Sequence, residues 1–341
     1  MNEVGACRGT VATDAPPDWT DLLAGLSSVE YTVSQNWTAL AARSYPAARA
    51  VWLTADLHGQ LAGGLPLLQR RRHGLDRLES SFDGTLGGPQ LHADLSSRER
   101  ELVLSTILGD LNRALRGRTI LAALTCGSDT DLTAALHGRG WRRDDYDSAL
   151  VDCSHGLDHV ETELWTNNRR NERNRGLKRG AVLSSVSDEG ELERWYPLYE
   201  AKSRQWAQAP VPLAFMRDLM AADPERVCVD TIQFEGRTVG GHFCFVSDDR
   251  LVAWQGAVDP ELSRTHFLTP LLYWRNIMTA CERGLAAVDF GGCVGRDTLW
   301  DFKRRCGALP APRVQWQRRT SLGRCYQQIG DLLRRGGGGA R

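Results

Sequence analysis

The sequence predicts an α/β protein with mixed sheets, arranged as two related modules along one chain. A length of 341 residues is sufficient for about two domains, each with its own core. A hairpin-like frame also occurs twice, as HGQLAGGLPL at 58–67 and EGRTVGGHFCF at 235–245. Each copy precedes a long helical pattern and a short apolar strand. The order of elements therefore repeats, which indicates an internal duplication.

Four segments follow from this pattern. The first module is predicted over 19–160 and the second over 161–330, with an arginine-rich helix at its entry. Residues 1–18 and 331–341 are predicted to be disordered, because the first lacks a periodic apolar pattern and the second consists mainly of glycine and arginine.

In the first module, AVWLTAD and LAGGLPLLQR are predicted to be two strands joined by a turn at His58-Gly59-Gln60. Ser96 to Gly117 has apolar residues at helical spacing, with Ser96 as the cap. The strand TILAALT follows. A short helix ending at Gly138 or Gly140 and the strand YDSALVDC complete the module.

In the second module, the segments 192–207 and 212–220 are predicted to be helical. An antiparallel meander follows, with a turn at Glu235-Gly236-Arg237. A long helix then closes at Gly284, the strand AAVDFGG exposes Asp289 at its end, and a further helix begins at Leu299.

Composition excludes several classes of protein. With 42% hydrophobic and 25% charged residues and no apolar run of about 18 residues, the chain has no predicted membrane span. The first residues lack a secretory pattern, so a cytoplasmic location is expected. Nine cysteines without a Cys-x-x-Cys pair argue against a disulfide framework or a zinc ribbon. His155 and His159 have metal-ligand spacing, but Gly156 interrupts them, and no metal is predicted.

Two basic runs stand out against a net charge of zero. Arg169 to Arg179 contains six basic residues and one acid, and Lys303 to Arg341 contains ten basic residues and one acid. Such runs are typical either of a solvated helix face with a basic tail or of a surface that binds phosphates, for which nucleic acid is the commonest ligand.

An ordered set of motifs resembles the FemAB-like family. The set includes SSFDGTLGGP at 80–89, the arginine-rich LWTNNRRNERNRGLKRGAV at 164–182, DFGG at 289–292, and Asp297 followed by FK-x-x-x-GA at 302–308. The likeness extends from about Trp37 to Leu309. It implies two tandem domains of the acyl-CoA N-acetyltransferase (GNAT) fold and a tRNA-dependent aminoacyltransferase.

The resemblance also implies a catalytic site. An amine would attack the ester carbonyl of an aminoacyl-tRNA, and Lys303 would stabilise the oxyanion, a contribution of about 2.7–4 kcal/mol for a preorganised donor. Phe302 would stack on the terminal adenine for about 1–3 kcal/mol. Asp289 would orient Lys303, bind an ammonium group or cap a loop. The plain alternatives are a surface lysine paired with Asp301 or Asp297, and core packing for Phe302.

Further residues are candidates for substrate binding. The donor tRNA would contact basic side chains, namely Arg170, Arg173, Arg175 and Arg304. The acceptor would contact two glycines of the first-module loop and three side chains of the second module, namely Gly87, Gly88, Trp254, Gln255 and Tyr273. For the arginines the alternative is a solvated helix, and for Trp254 it is a place in the core.

The co-substrates follow from what the chain contains. No glycine-rich pyrophosphate loop precedes the long helix of the second module, where the sequence is DPELSRTHFLTPLLY, so coenzyme A is disfavoured and no cofactor is expected beyond aminoacyl-tRNA itself. The segment after Thr162 is also too short for a helical arm. We expect a monomer of the armless type, which includes makers of peptidoglycan cross-bridges and tailoring enzymes of peptide-like antibiotics.

Three functions therefore remain open. The first is an aminoacyltransferase that forms an amide on the amine of a small peptidic acceptor. The second is an acyl-CoA-dependent N-acyltransferase on the same fold, and the third is a non-catalytic RNA-binding module.

Overall fold

The protein forms two compact units in a computed structural model that describes residues 7–127 and 130–336. Within the described residues, unit 1 comprises 7–82, 86–145 and 314–336, and unit 2 comprises 83–85 and 146–313. No helix within these ranges is both long and apolar enough to cross a membrane.

Unit 1 is built on strands in the order β1-β2-β3-β4-β6-β13, with β5 paired to β3. Its strands are β1 (Cys7–Ala12), β2 (Ala48–Leu57), β3 (Gln60–Arg72), β4 (Leu75–Glu79), β5 (Gln90–Leu91), β6 (Thr119–Gly127) and the second half of β13 (Leu309–Arg319). Its helices are α1 (Trp19–Ala24), a 3-10 turn at Tyr31–Val33, α2 (Gln35–Ser44), α3 (Ser97–Ala114), α4 (Thr130–Leu136) and α12 (Ser321–Gly336).

The elements of unit 1 follow from local sequence. His58 and Gly59 have positive φ angles of 55° and 80°, as a two-residue turn between twisted strands requires. The Ser96 hydroxyl accepts from the Glu99 N–H while the Glu99 carboxylate accepts from the Ser96 N–H, so a capping box starts α3. The apolar face of α3 then packs into the core against β2, β3 and β6.

Unit 2 has the strand order β7-β12-β11-β10-β9-β8. Its strands are the second half of β7 (Arg142–Asp152), β8 (Val182–Val186), β9 (Val227–Phe234), β10 (Arg237–Ser247), β11 (Arg250–Val258) and β12 (Ala287–Gly292). Its helices are α5 (Leu157–His159) with a π-turn at Val160–Leu164, α6 (Asn167–Lys178), α7 (Glu189–Gln205), α8 (Leu213–Ala222), α9 (Pro260–His266), α10 (Leu268–Glu282) and α11 (Asp297–Arg305).

The repeated element order predicted from the sequence is present in the two units. The turn at Glu235 and Gly236 has φ angles of 50° and 74°, the same geometry as the turn of unit 1. In each unit an antiparallel meander leads through a helix to a parallel strand, β4 with β6 in unit 1 and β11 with β12 in unit 2. Each copy therefore has a parallel strand pair next to its hairpin.

Each unit contains a strand segment that the sequence assigned to the other module. Residues 146–152 of β7 pair with β12 in unit 2, and residues 314–319 of β13 belong to unit 1 beside β6. The contact boundary therefore falls at 145/146, whereas the sequence predicted 160/161. An exchange of strands leaves no trace in hydrophobic periodicity, which reports only which residues are strands.

Two predictions of disorder differ from the structure. Residues 7–12, within the predicted disordered segment 1–18, form β1 and pair antiparallel with β2 over six residues. Residues 331–336, within the predicted tail 331–341, continue α12, and residues 337–341 lie outside the described ranges. A strand at a sheet edge needs only one apolar face and a partner, which a short segment such as CRGTVA provides without a long apolar pattern.

Candidate active site

The parallel pair β11 and β12 separates partway along unit 2. Its ladder comprises three residue pairs, from Arg250 with Ala287 to Val252 with Asp289. Beyond this point β11 continues to Val258 and β12 to Gly292 without pairing with each other. We call the opening between residues 254–256 and residues 290–292 the wedge. Backbone groups that leave a ladder need other partners, and those partners define the site.

The first partner is Asp289, which caps the turn at the end of β12. Its buried carboxylate accepts from the Gly291 N–H at 2.8 Å and from the Ser148 hydroxyl. Arg313 donates to it at 3.1 Å, and Arg250 lies at 3.8 Å. Of the three roles predicted for Asp289, the structure shows the loop cap. Its carboxylate also neutralises two arginines of the same unit.

The second partner is Lys303, which α11 directs at the same turn. Its side chain is only 3% exposed, and Nζ donates to the carbonyl oxygens of Phe290 at 2.6 Å, Gly291 at 3.0 Å and Gly292 at 3.5 Å. Burial lowers its pKa. The alternative of a surface lysine paired with Asp301 or Asp297 is wrong, since Asp301 pairs with Arg304 and Arg305 instead.

Phe302 is half-buried beside Lys303. The Arg169 guanidinium lies 4.8 Å from its ring centroid, and Tyr273 contacts it edge-on at 5.0 Å. Tyr273 is buried and also contacts Phe290 at 4.3 Å. Phe302 and Tyr273, predicted separately for the donor and the acceptor, thus contact each other at the wedge, and a cation lies over Phe302. Stacking of a base on Phe302 remains a prediction, and it requires either the other face of the ring or movement of Arg169.

A buried polar chain reaches the wedge from β9. The Asn276 amide donates to Asp230 at 2.5 Å, and its oxygen lies 2.6 Å from His242 Nδ1. Since the amide oxygen only accepts, Nδ1 carries the proton and Nε2 is an acceptor. Burial, together with Lys202 and Lys303, lowers the His242 pKa to about 3, so the ring is neutral.

Lys202, near the end of α7, approaches the wedge from β11. Its Nζ donates to the carbonyl oxygen of Gly256 and lies 4.6 Å from the Trp206 ring centroid. Burial, followed by repulsion from Arg296 and Lys303, lowers its pKa to about 8. Gly256 has no side chain because the His242 ring occupies that space: a Cβ there would lie 1.9 Å from Nε2.

Sequence reasoning missed Lys202 and His242, although two signals were present. The chain contains only three lysines, Lys178, Lys202 and Lys303, among 42 basic residues. The duplicated hairpin frame also has His242 where the first copy has Leu65, which is fully buried. A polar residue that replaces an apolar one in the second copy indicates that the chemistry lies in unit 2.

The predicted tRNA-binding arginines divide into two groups. Arg173 is 5% exposed, bonded to Glu161 and stacked 4.3 Å from the Trp274 ring, so it anchors α6 and is not available to phosphates. Arg170 donates to the carbonyl oxygens of Glu161 and Thr162.

The remaining two predicted arginines lie on exposed surface. Arg175 is exposed near the end of α6, and Arg304 is exposed but paired with Asp301 at 2.9 Å. The basic helix is therefore part anchor and part surface. Only the surface part retains the predicted contact with phosphates.

Trp254 and Gln255 lie on β11 at the wedge, and each donates a hydrogen bond to the same backbone carbonyl oxygen. The Trp254 indole N–H and the Gln255 amide both donate to the carbonyl oxygen of Asp83, at 2.7 and 3.1 Å. Both side chains therefore hold the 83–85 segment within unit 2. Contact with an acceptor remains a prediction.

Gly87 and Gly88 lie in unit 1, next to β6. The Gly87 N–H donates to the Thr125 carbonyl oxygen at 2.7 Å, and a Cβ at this position would lie 2.1 Å from the Ser80 carbonyl oxygen. Gly88 has φ of 138°, which favours glycine. The close packing explains both glycines structurally, and their predicted contact with an acceptor stays a prediction.

The described residues contain no group of three or more His, Cys, Asp or Glu side chains placed to hold a metal ion. His155 and His159 lie with ring centroids 5.0 Å apart, without a third ligand within residues 7–127 and 130–336.

Comparison with known proteins supports the fold. Residues 166–324 match the family model described as an acetyltransferase (GNAT) domain. No curated protein sequence matches the chain. The crystal structure of FemX superposes with a TM-score of 0.67 at 11% identity, covering 94% of this chain and 99% of FemX.

Two further solved structures are similar. A tandem GNAT protein from the clavulanic acid biosynthesis pathway gives a TM-score of 0.58 at 15% identity, over 92% of this chain and 98% of its own. The C-terminal domain of a putative lysylphosphatidylglycerol synthetase from Agrobacterium fabrum gives a TM-score of 0.53 at 11% identity, over 80% of this chain and 85% of its own. The predicted class, α/β with two tandem GNAT-like domains, is confirmed, and so is the resemblance to FemAB-like proteins at the level of the fold.

Proposed function

We propose that this protein transfers an aminoacyl group from aminoacyl-tRNA to the amine of a small peptidic acceptor. The wedge of unit 2 carries the proposal, because it places a buried lysine, a neutral histidine and a glycine turn at one opening of a GNAT-type sheet. Two of the motifs that resemble FemAB-like proteins, DFGG at 289–292 and FK-x-x-x-GA at 302–308, meet at this opening.

The chemistry requires positioning and charge stabilisation only. The acceptor nitrogen attacks the ester carbonyl, a C–N bond forms, and the C–O bond to the ribose breaks. The proton lost by the amine goes to the departing ribose oxygen, so atoms balance without nucleotide hydrolysis. In a dry site, fixed charges act strongly on the developing oxyanion.

Lys303 is placed to supply that charge. Its Nζ lies within 3.5 Å of three carbonyl oxygens of the turn, and the contact with Gly292 is the longest at 3.5 Å. An oxyanion in the wedge would replace this weakest acceptor while the other two bonds keep Nζ in position. The lysine thus serves both as a brace of the turn and as a donor to the transition state.

Asp259 favours tRNA over coenzyme A as donor. Its carboxylate accepts from the N–H groups of Glu261 and Leu262, at 2.9 and 3.1 Å, and Pro260 has no N–H. This is the start of α9, directly after β11, where a coenzyme A pyrophosphate would need free N–H groups. A carboxylate already in that place both occupies the donors and repels the phosphates.

The test is transfer of label from a mixture of charged tRNAs into small amines of a cell extract, with labelled acetyl-CoA as a competing donor. Incorporation from tRNA that ribonuclease abolishes would support the proposal. Absence of incorporation from any charged tRNA, in the presence of folded protein, would contradict it.

An acyl-CoA-dependent N-acyltransferase is the second candidate, favoured by the match of residues 166–324 to an acetyltransferase (GNAT) domain. In the same assay it predicts ribonuclease-resistant incorporation from acetyl-CoA. Tight binding of labelled RNA without transfer from either donor would instead favour a non-catalytic RNA-binding module.

A further inference from the structure

The wedge of unit 2 is bordered by two cations that share one indole ring. Trp206, at the end of α7, is 46% exposed. Lys202 Nζ lies 4.6 Å from its ring centroid, and the Arg296 guanidinium carbon also lies 4.6 Å from it. A cation over an indole face is attracted by the negative potential of the ring, so the ring holds both side chains in defined places.

Within residues 7–127 and 130–336, neither cation has an acidic partner. In the described part of the chain, Lys202 and Arg296 form no ion pair, and Lys202 has one hydrogen bond, to the carbonyl oxygen of Gly256. By contrast, Arg204, the next basic residue of α7, does have an acidic partner, since it pairs with Glu200 at 3.4 Å. Like charges placed together repel, so two unpaired cations on one ring form a site that lacks a counter-charge.

The use of lysine at this place is itself informative. The chain uses arginine for 39 of its 42 basic residues and lysine for three, of which Lys202 and Lys303 both lie at the wedge. Lysine presents a compact charge with rotatable donors, whereas arginine presents a planar fork. Beyond the bond to Gly256, Lys202 has two further N–H groups for a ligand.

We propose that Lys202, Arg296 and Trp206 form a binding site for an anionic oxygen group, a carboxylate or a phosphate, carried by the amine acceptor. This assignment rests on the proposed function and specifies its acceptor: an amine that bears a negative group, such as an amino acid, a peptide with a free carboxyl end or a phosphorylated amine. An acceptor that carries no anionic group leaves the cations unbalanced.

The arrangement also helps the reaction. The positive charges of Lys202, Lys303 and Arg296 disfavour a protonated acceptor amine in the wedge, so the nucleophilic, neutral form is favoured. An anionic group on the same acceptor offsets the repulsion that the cations would otherwise exert on the bound molecule. The same positive charges thus bind the anionic group and keep the amine in its neutral, nucleophilic form.

The site is testable without enzymatic activity. Protein labelled at the lysine ε-carbon gives only three resonances, which Lys202→Met and Lys178→Arg assign. Titration with acetate and with inorganic phosphate, against chloride at equal ionic strength, should shift the Lys202 signal saturably and raise its pKa from about 8. The exposed Lys178 serves as the internal control. The two anions distinguish a carboxylate site from a phosphate site.

Arg296→Gln should weaken anion binding about tenfold, equivalent to about 1.4 kcal/mol. Trp206→Leu should weaken it as well, by releasing both cations. No saturable shift of Lys202 with either anion, or an equal shift of Lys178, would overturn the proposal. An unchanged affinity in Arg296→Gln would also do so.

A second arm links the site to transfer. In the ribonuclease-sensitive assay, glycylglycine and glycylglycinamide are compared as acceptors, and kcat/KM should favour the free carboxylate in the native protein but not in Arg296→Gln. If the native protein shows no preference, the anion site does not serve the acceptor. If no transfer occurs while Lys202 still responds to anions, the proposed function fails and the anion site stands.

Discussion

Asp289 and Lys303 hold the same turn through groups of opposite polarity. The carboxylate of Asp289 accepts from the Gly291 N–H at 2.8 Å, and the ammonium of Lys303 donates to the Gly291 carbonyl oxygen at 3.0 Å. The two side chains thus satisfy both polar groups of one peptide residue at a strand end, where the ladder has stopped. This double fixation gives the wedge a defined edge.

Lys303→Met is expected to reduce aminoacyl transfer by about 100-fold or more, since one preorganised donor is worth about 2.7–4 kcal/mol. The variant also leaves three carbonyl oxygens without their donor, so its melting temperature should fall. Steady-state transfer with saturating charged tRNA and a parallel thermal melt measure the two effects. Full transfer activity in a folded Lys303→Met protein would exclude the oxyanion role.

Asp289→Ala is expected to lower the free energy of unfolding by about 3–5 kcal/mol, because it leaves Arg250 and Arg313 buried without their shared counter-ion. Urea unfolding followed by tryptophan fluorescence measures the loss. The matched control is Asp301→Ala, whose exposed pairs with Arg304 and Arg305 should contribute less than about 1 kcal/mol. Equal losses in the two variants would contradict the assigned cap.

Arg173→Ala and Arg175→Ala test whether helix α6 anchors unit 2 or binds RNA. Arg173→Ala removes the cation over Trp274 and its ion pair with Glu161, whose side chain is 36% exposed, so we expect a loss of stability of about 1–2 kcal/mol. Arg175→Ala should leave stability unchanged and reduce the slope of log tRNA affinity against log salt by about one. Filter binding over a salt series checks this, and the reverse assignment of effects would refute it.

Stability should depend on pH through Lys202. Its pKa is about 8 in the folded protein and about 10.5 when unfolded, so between these values the unfolded chain binds more protons. The contribution of Lys202 to the free energy of unfolding therefore rises with pH over that window, by on the order of 3 kcal/mol. The difference between the native protein and Lys202→Met isolates it from thiol and tyrosine titration. A difference that does not change between pH 8 and 10 would contradict the shift.

Much of the fold was predictable because it depends on local patterns. The hairpin turns at Gly59 and Gly236 need positive φ angles that glycine accepts, and the Ser96 cap needs only a hydroxyl three residues before a glutamate. The fold class and the duplication followed from such signals. The strand exchange, by contrast, depends on which strand pairs with which, and pairing partners far apart in sequence leave no local pattern.

The candidate site shows the same division. The sequence by itself determined that Asp289, Phe302 and Lys303 would belong to one motif-bearing segment of the second module. Only the tertiary structure decided that Arg173 is buried, that Lys303 braces a turn, and that Lys202 and Arg296 share the ring of Trp206. The reason is physical: charge and hydrogen-bonding capacity are written in each residue, whereas burial and the identity of a partner are properties of the packed chain.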